Sequence, residues 1–220
     1  MGQGIWGGLR HLFFKQTPET EKDSLYYEMS EAFRQEGCAL CRLTDRYERQ
    51  FMESVFYESV NDAAVRGQLQ ESAGLCLRHT QTFLQIGDLL GLSILGAALI
   101  ENRLAVLEQP KGTGCLFCRQ NEQNERRLLQ AFVRYWLLQE FRTSFMESQG
   151  LCLKHFRQIY KRLEDRSLAA QLWQIERGKL KDLQKLLQEI IRKHDYRFHR
   201  EAISEQETEA VKRAWDFLHA

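Results

Sequence analysis

The chain has 220 residues, of which 43% are hydrophobic and 28% are charged, a composition typical of a folded globular protein and not of a disordered one. Lys and Arg number 31 against 30 Asp and Glu, so the overall charge gives no indication of a nucleic-acid binder. Only Pro18 and Pro110 could interrupt helices, which leaves nearly the whole chain free to be helical.

Apolar residues recur at helical spacing along most of the chain, and no stretch alternates apolar and polar residues for long enough to predict a sheet. A first amphipathic helix runs through 51–60. Asn61 and Asp62 then predict a break, with a cap for a shorter helix that runs to about Ser72 and is terminated by Gly74, as Gly150 terminates a later helix. The pattern returns over 128–137, and 172–191 predicts a long amphipathic helix. The predicted fold class is therefore all-α.

The most apolar run, 86–100, contains Asp88 and covers only about half to three-quarters of a bilayer span. Its small residues Gly96, Ala97 and Ala98 predict a helix packed closely against its neighbours. The N-terminus lacks the ordered segments of a secretion signal. We therefore expect a cytoplasmic protein without a transmembrane segment.

An internal repeat dominates the sequence. Two Cys-x2-Cys pairs recur 77 positions apart, and two Cys-x2-His pairs recur 76 positions apart. The repeat takes in all six cysteines and two of the six histidines: Cys38, Cys41, Cys76 and His79, then Cys115, Cys118, Cys152 and His155. Core packing alone does not explain such a pattern, which indicates a duplicated chain.

This duplication predicts two helical-bundle halves of three or four helices each. We place an N-terminal arm at 1–24, a first metal-binding repeat at 25–110 and a second at 111–193. A C-terminal segment with an acidic helix follows at 194–220. Halves this small gain little from core burial alone, and a metal in each would supply a further constraint.

Residues three apart lie on one face of a helix, so each pair offers two ligands side by side. Each half has room for a helix out and a helix back, which would join its own two pairs into one Cys3His set. Four such ligands fit tetrahedral Zn²⁺ in a closed structural site. The prediction is one Zn²⁺ per half, two in all.

Glycines precede the pairs and predict tight turns into helix N-termini, where the helix dipole favours thiolates: Gly37, Gly74, Gly114 and Gly150.

Several functions are compatible with these ligands. The favoured one is a non-enzymatic scaffold or adaptor that binds another protein. The main alternative is an iron–sulfur protein in electron transfer or metalloenzyme maturation, since clusters also accept three cysteines with a different fourth ligand. Redox-active pairs lack a surrounding βαβ pattern, and disulfides conflict with the expected compartment.

The end of the long helix carries a second group of polar residues. Cations there complement the helix C-terminus, and the acidic stretch that follows predicts a helix folded back against it. A sharper alternative makes the group a functional cluster of an enzyme: His194, Asp195, Tyr196 and Arg197. That alternative requires His194 to lie in a cleft near Cys152 and His155.

The paired motifs, together with the segment Lys193–Phe198, resemble those of a bacterial family of uncharacterised proteins without an assigned activity. The resemblance covers about residues 25 to 200. It implies metal binding, and it supplies no catalytic residue.

Overall fold

The computed structural model describes residues 22–57, 62–72, 74–104, 107, 114–198 and 200–218, so nearly all of the predicted N-terminal arm lies outside the described residues. Within them the chain forms ten helices and no strands, which confirms the all-α class. The helices are α1 (Ser24–Ala32), α2 (Ala39–Tyr57), α3 (Ala63–Glu71), α4 (Leu77–Ile86), α5 (Leu89–Leu104), α6 (Leu116–Tyr135), α7 (Gln139–Glu147), α8 (Leu153–Arg162), α9 (Arg166–Lys193) and α10 (Glu205–Leu218).

Helices α2 to α5 are repeated as α6 to α9. The long helices α2 and α6 have 19 and 20 residues, α3 and α7 have nine each, and α4 and α8 have ten each. Helix α9 is longer than its counterpart α5, with 28 residues against 16. The duplication seen in the sequence therefore appears as two helical halves.

Local signals in the sequence place the starts of α3, α4 and α8 correctly. The Asp62 carboxylate accepts hydrogen bonds from the backbone N–H groups of Ala64 and Val65 at the start of α3. Cys76 and Cys152 are the N-cap residues of α4 and α8. The expected break and the helix starts at the Cys-x2-His segments are confirmed.

The ends of α3 and α7 differ from the expectation that glycines terminate them. Both helices end earlier, at Ser72 and Ser148, which are extended. Their hydroxyls donate to the carbonyls of Leu69 and Phe145 at 2.6 and 2.7 Å. A serine therefore satisfies an orphan carbonyl at each helix end, and the glycine lies two residues further on.

The four glycines before the ligand pairs have positive φ, as the predicted tight turns require: Gly37 (73°), Gly74 (92°), Gly114 (85°) and Gly150 (92°). Residues other than glycine rarely adopt a positive φ. At Gly150 space is restricted as well, since an added Cβ would lie 2.7 Å from a carboxylate oxygen of Glu176. The turns into the ligand-bearing segments are thus built on glycine.

Helices α2 and α6 run antiparallel through the centre of the molecule. Leu43, near the start of α2, belongs to the same buried cluster as Phe132 near the end of α6. Phe56, at the end of α2, belongs to a second cluster with Phe117 at the start of α6. Each cluster therefore contains residues from both halves.

Helix α5 is less enclosed than its composition predicts. Gly91 and Leu95 are buried, but a Cβ added at Gly96 would meet nothing within 4 Å, so the expected close packing at that glycine is wrong. The close approach occurs at Gly87, where an added Cβ would lie 2.4 Å from the Phe56 ring. Four large side chains of α5 remain exposed: Leu89, Leu90, Ile100 and Leu104. Among the described helices, none combines the length and apolar character of a membrane span.

Helix α10 folds back along α9, as the charge pattern predicts. The Lys193 ammonium contacts both carboxylate oxygens of Glu207 at 2.7 Å, and this pair is almost fully buried. Arg192 also pairs with Glu201 in the connecting segment. The end of α9 is therefore fixed to α10 by ion pairs.

Candidate metal centres

The structure brings the eight predicted ligand residues together in two groups of four. The first site contains Cys38, Cys41, Cys152 and His155, and the second contains Cys76, His79, Cys115 and Cys118. Within each group the potential ligand atoms all lie within 4.8 Å of one another. The two Cys3His sets are present, but the expectation that each half supplies its own set is wrong. Each Cys-x2-Cys pair meets the Cys-x2-His pair of the other half.

Helix length explains this crossed arrangement. From the first Cys-x2-Cys pair, α2 carries the chain about 28 Å away, whereas nine-residue α3 returns it by only about 14 Å. The chain therefore reaches Cys76 far from Cys38. Because α6 lies antiparallel to α2, its own Cys-x2-Cys pair is at the end where Cys76 arrives. The same difference between α6 and α7 brings Cys152 to Cys38.

In the first site, the imidazole Nδ1 atom faces three sulfur atoms. Nδ1 of His155 lies 3.4, 3.3 and 3.2 Å from the Sγ atoms of Cys38, Cys41 and Cys152. The Sγ atoms of Cys41 and Cys152 are 3.6 Å apart. Four soft or borderline donor atoms thus surround one point.

The second site repeats this geometry. Nδ1 of His79 lies 3.1, 3.2 and 3.4 Å from the Sγ atoms of Cys76, Cys115 and Cys118. The Sγ atoms of Cys76 and Cys118 are 3.7 Å apart. The duplicated sequence therefore builds two nearly equivalent donor sets.

A largely buried carboxylate fixes each histidine ring. Nε2 of His79 lies 2.7 Å from Oε1 of Glu48, and Nε2 of His155 lies 3.0 Å from Oε1 of Glu125. A carboxylate accepts, so Nε2–H donates to it, which leaves Nδ1 as the ring atom that can bind a cation once it carries no proton. Metal-binding histidines usually have such an outer partner. The sequence analysis missed both acids, although each stands seven residues after the second cysteine of its half.

Each carboxylate also has a basic partner that occupies equivalent positions in the repeat. Arg78 makes two hydrogen bonds to Glu48, at 2.7 and 2.8 Å, and Lys154 lies 2.8 Å from Glu125. The cation holds the carboxylate beside the ring and offsets its charge. The repeated unit therefore extends from the ligands to their supporting residues.

In the first site the ligand groups share protons. Hydrogen bonds from the Cys38 and Cys41 thiols lower the pKa of Cys152. The hydrogen bonds of the Cys41 thiol to Cys152 and Cys38 raise the pKa of Cys41. Burial lowers the pKa of His155, but its hydrogen bonds to Cys152 and Cys38 outweigh burial and raise that pKa to about 10. A cation that binds here must displace these protons, so its affinity rises with pH.

In the second site, burial raises the pKa of Cys76, but hydrogen bonds from the His79 backbone N–H and the neighbouring thiols lower it below its usual value. This agrees with the expected effect of the α4 N-terminus. Burial and the hydrogen bond to Cys76 raise the pKa of Cys118 to about 12. The start of α4 thus favours the thiolate form of Cys76.

The two sites differ in their surroundings. Cys152 is buried in the first site, whereas all three cysteines of the second are partly exposed. Glu176 of α9 is buried beside the first site and accepts a hydrogen bond from the Leu151 backbone N–H at 2.8 Å. Its burial raises its pKa to about 7. The equivalent residue of the first half, 76 positions earlier, is the exposed Ile100.

His194 and the residues that follow it lie at the surface of the described part of the chain. His194 is exposed, and its Nδ1 atom is 2.8 Å from the Ile190 carbonyl of its own helix. Asp195 and Arg197 pair with each other at 2.8 Å, and Tyr196 is 81% exposed. Among the described residues, His194 therefore lies on exposed surface, whereas the enzyme hypothesis requires it to lie in a cleft.

Comparison with known proteins gives a family and one distant relative. A family of unknown function (DUF6062) matches the chain over residues 22–111 and 96–220. A relative from Caldicellulosiruptor sp. (strain Rt8B.4), described as an uncharacterised 23.9 kDa protein in the xynA 3' region, is 26% identical over 179 residues. The aligned part covers 77% of this chain and 88% of that protein. No solved structure matches the chain.

Proposed function

Because the chain belongs to a family of unknown function (DUF6062), we propose its function from the two sites: it binds two Zn²⁺ ions that join the halves into a rigid scaffold. One ion is held by Cys38, Cys41, Cys152 and His155, and the other by Cys76, His79, Cys115 and Cys118. The observation that carries this proposal is the crossed origin of each donor set. A metal bound this way links one half to the other.

The spacing of the donor atoms supports a single ion in each site. With Zn–S bonds of about 2.3 Å, a tetrahedron separates its sulfur atoms by about 3.8 Å. The Sγ–Sγ distances of 3.6 and 3.7 Å agree with that value. An iron–sulfur cluster spreads its protein ligands over more than one iron atom, and donor atoms within 4.8 Å of one another leave less room for it.

The ligand set supports a structural and not a catalytic metal. Four protein donors complete a tetrahedron and leave no coordination position for a substrate, as is typical of structural zinc. The histidine Nε2 atoms are engaged by Glu48 and Glu125, so neither ring is free to act as a general base.

A scaffold needs a partner, and we propose a protein that buries the exposed apolar side chains of α5, such as Leu89 and Leu90.

Metal analysis of protein purified without oxygen tests the zinc assignment. We expect a colourless protein with about two equivalents of zinc and no acid-labile sulfide. Removal of the zinc by a chelator should lower the midpoint of the unfolding transition, because metal binding in such sites contributes to folding. A broad visible absorption band with iron and sulfide in the sample would replace this proposal with an iron–sulfur protein.

A further inference from the structure

A groove on the second half lies outside both metal centres. It has a volume of about 410 Å³ and runs between α8, α9 and α10. Five apolar side chains form most of its wall: Leu153, Phe156, Trp173, Leu180 and Phe217. Small-molecule sites commonly have this size and such a mostly apolar lining with few polar groups.

Two cations of α9 line the same groove, Arg177 and Lys181. They stand four residues apart, which places them on one face of the helix. The Arg177 guanidinium lies 5.0 Å from the centre of the Trp173 ring, and in the part of the chain that the structure describes neither cation forms a salt bridge. The acidic residue of the lining, Glu176, is instead bonded to the Leu151 backbone N–H. The groove therefore offers positive charge beside apolar surface.

The repeat shows that the metal centres do not require this groove. Arg103 and Lys179, 76 positions apart, both donate to the carbonyl of the serine that ends α3 or α7, which fixes the register between α5 and α9. In that register, residues of the groove and their first-half counterparts differ in chemistry: Trp173 and Ala97, Arg177 and Glu101, Phe156 and Thr80. The aromatic wall and the cation are thus features of the second half alone.

We propose that this groove binds a small amphipathic organic anion, an apolar chain or ring system that carries one carboxylate. The apolar body lies against Phe156 and Trp173, where it removes their exposed surface from water. The carboxylate lies between Arg177 and Lys181, and each of these cations then gains an ionic partner. This assignment depends on charge complementarity and is independent of which metal occupies the sites.

Calorimetric titration of the full-length purified protein with decanoate tests the proposal, with decanol as the uncharged probe of the same chain length. We expect saturable binding of about one decanoate per chain and at least tenfold weaker binding of decanol. The double variant Arg177→Gln/Lys181→Gln should weaken decanoate binding at least about tenfold and leave decanol binding unchanged. The matched control Arg166→Gln/Lys185→Gln removes two cations of the same helix outside the groove and should bind decanoate as the wild type does.

Trp173 provides a second measurement. Decanoate should change the intrinsic fluorescence, and Trp173→Phe should remove that change while calorimetry still detects binding. Equal affinities for decanoate and decanol, uptake of several decanoates per chain, or equal binding by the groove variant and its control would each overturn the proposal. So would binding of an acidic peptide with no detectable binding of decanoate.

Discussion

Both metal centres contain the same pair of residues, a ligand histidine and the glutamate that is hydrogen-bonded to its ring. Glu48 and Glu125 are largely buried and lie on the long helices, whereas His79 and His155 lie on α4 and α8. Each hydrogen bond fixes both the tautomer and the orientation of a ring that is itself buried. The carboxylate also increases the electron density of the ring, which strengthens the bond from Nδ1 to a cation.

Replacement of Glu125 by Gln tests this role at the first site. An amide keeps an acceptor for Nε2–H but loses the charge, so we expect about tenfold weaker metal binding there, at the lower end of the effect of such outer partners. Competition with a chromophoric chelator measures the affinity. Glu122→Gln, three residues earlier on the exposed face of the same helix, is the matched control and should bind metal as the wild type does. Equal affinities in both variants would count against the role of Glu125.

At the scale of elements, α10 packs on α9, and both helices line a cavity beside the first site. Glu176 and Leu183 of α9 are buried, and α10 contributes the buried Ala210. The hydrogen bond from Lys193 lowers the pKa of Glu207, so the Glu207 carboxyl group is ionised at neutral pH. A buried pair of this kind loses more when one partner is neutralised than an exposed pair does.

Glu207→Gln should therefore loosen α10. We expect faster amide hydrogen exchange across 205–218 than in the wild type, with little change in α2 and α6. Glu209→Gln is the matched control because Glu209 is an exposed acid on the same helix. Exchange that rises equally in both variants would show that net charge, and not the pair with Lys193, holds α10 in place.

The sequence predicts the ligands better than their grouping. Spacing alone identifies Cys38, Cys76 and their counterparts, because Cys-x2-Cys and Cys-x2-His place two donors on one face of a helix. Even the short α3 is indicated by the break at Asp62. The crossing could not be predicted because it depends on the antiparallel packing of α2 on α6. Both helices are amphipathic, and the periodicity of each defines an apolar face but not the helix against which it packs.

At the scale of the whole molecule, the crossed sites turn two repeats into one body. Each of the two buried clusters contains residues from both halves. Each metal centre lies where the Cys-x2-His pair of one half meets the Cys-x2-Cys pair of the other half. The metal centres thus reinforce contacts that the core also makes across the halves. Loss of one metal should then weaken the junction between halves and not one half alone.

Double substitutions distinguish this arrangement from one site per half. Cys38→Ser/Cys152→Ser changes both halves but only the first site, so the protein should keep about one zinc ion per chain. Cys38→Ser/Cys76→Ser changes a single half but both sites, and it should lose nearly all zinc. The metal content of the two purified variants measures the difference directly. Each contains two Cys→Ser changes, so each is the other's control for the number of thiols removed.

The unfolding transitions of the same variants give an independent result. Cys38 and Cys152 share one site, so their double variant should be hardly less stable than either single variant, because removal of the second ligand from an already disrupted site adds little. Cys38 and Cys76 belong to different sites, and the losses in free energy of unfolding should add. The opposite pattern, with additive losses for Cys38 and Cys152 and one retained zinc for Cys38 and Cys76, would show that each half holds its own metal.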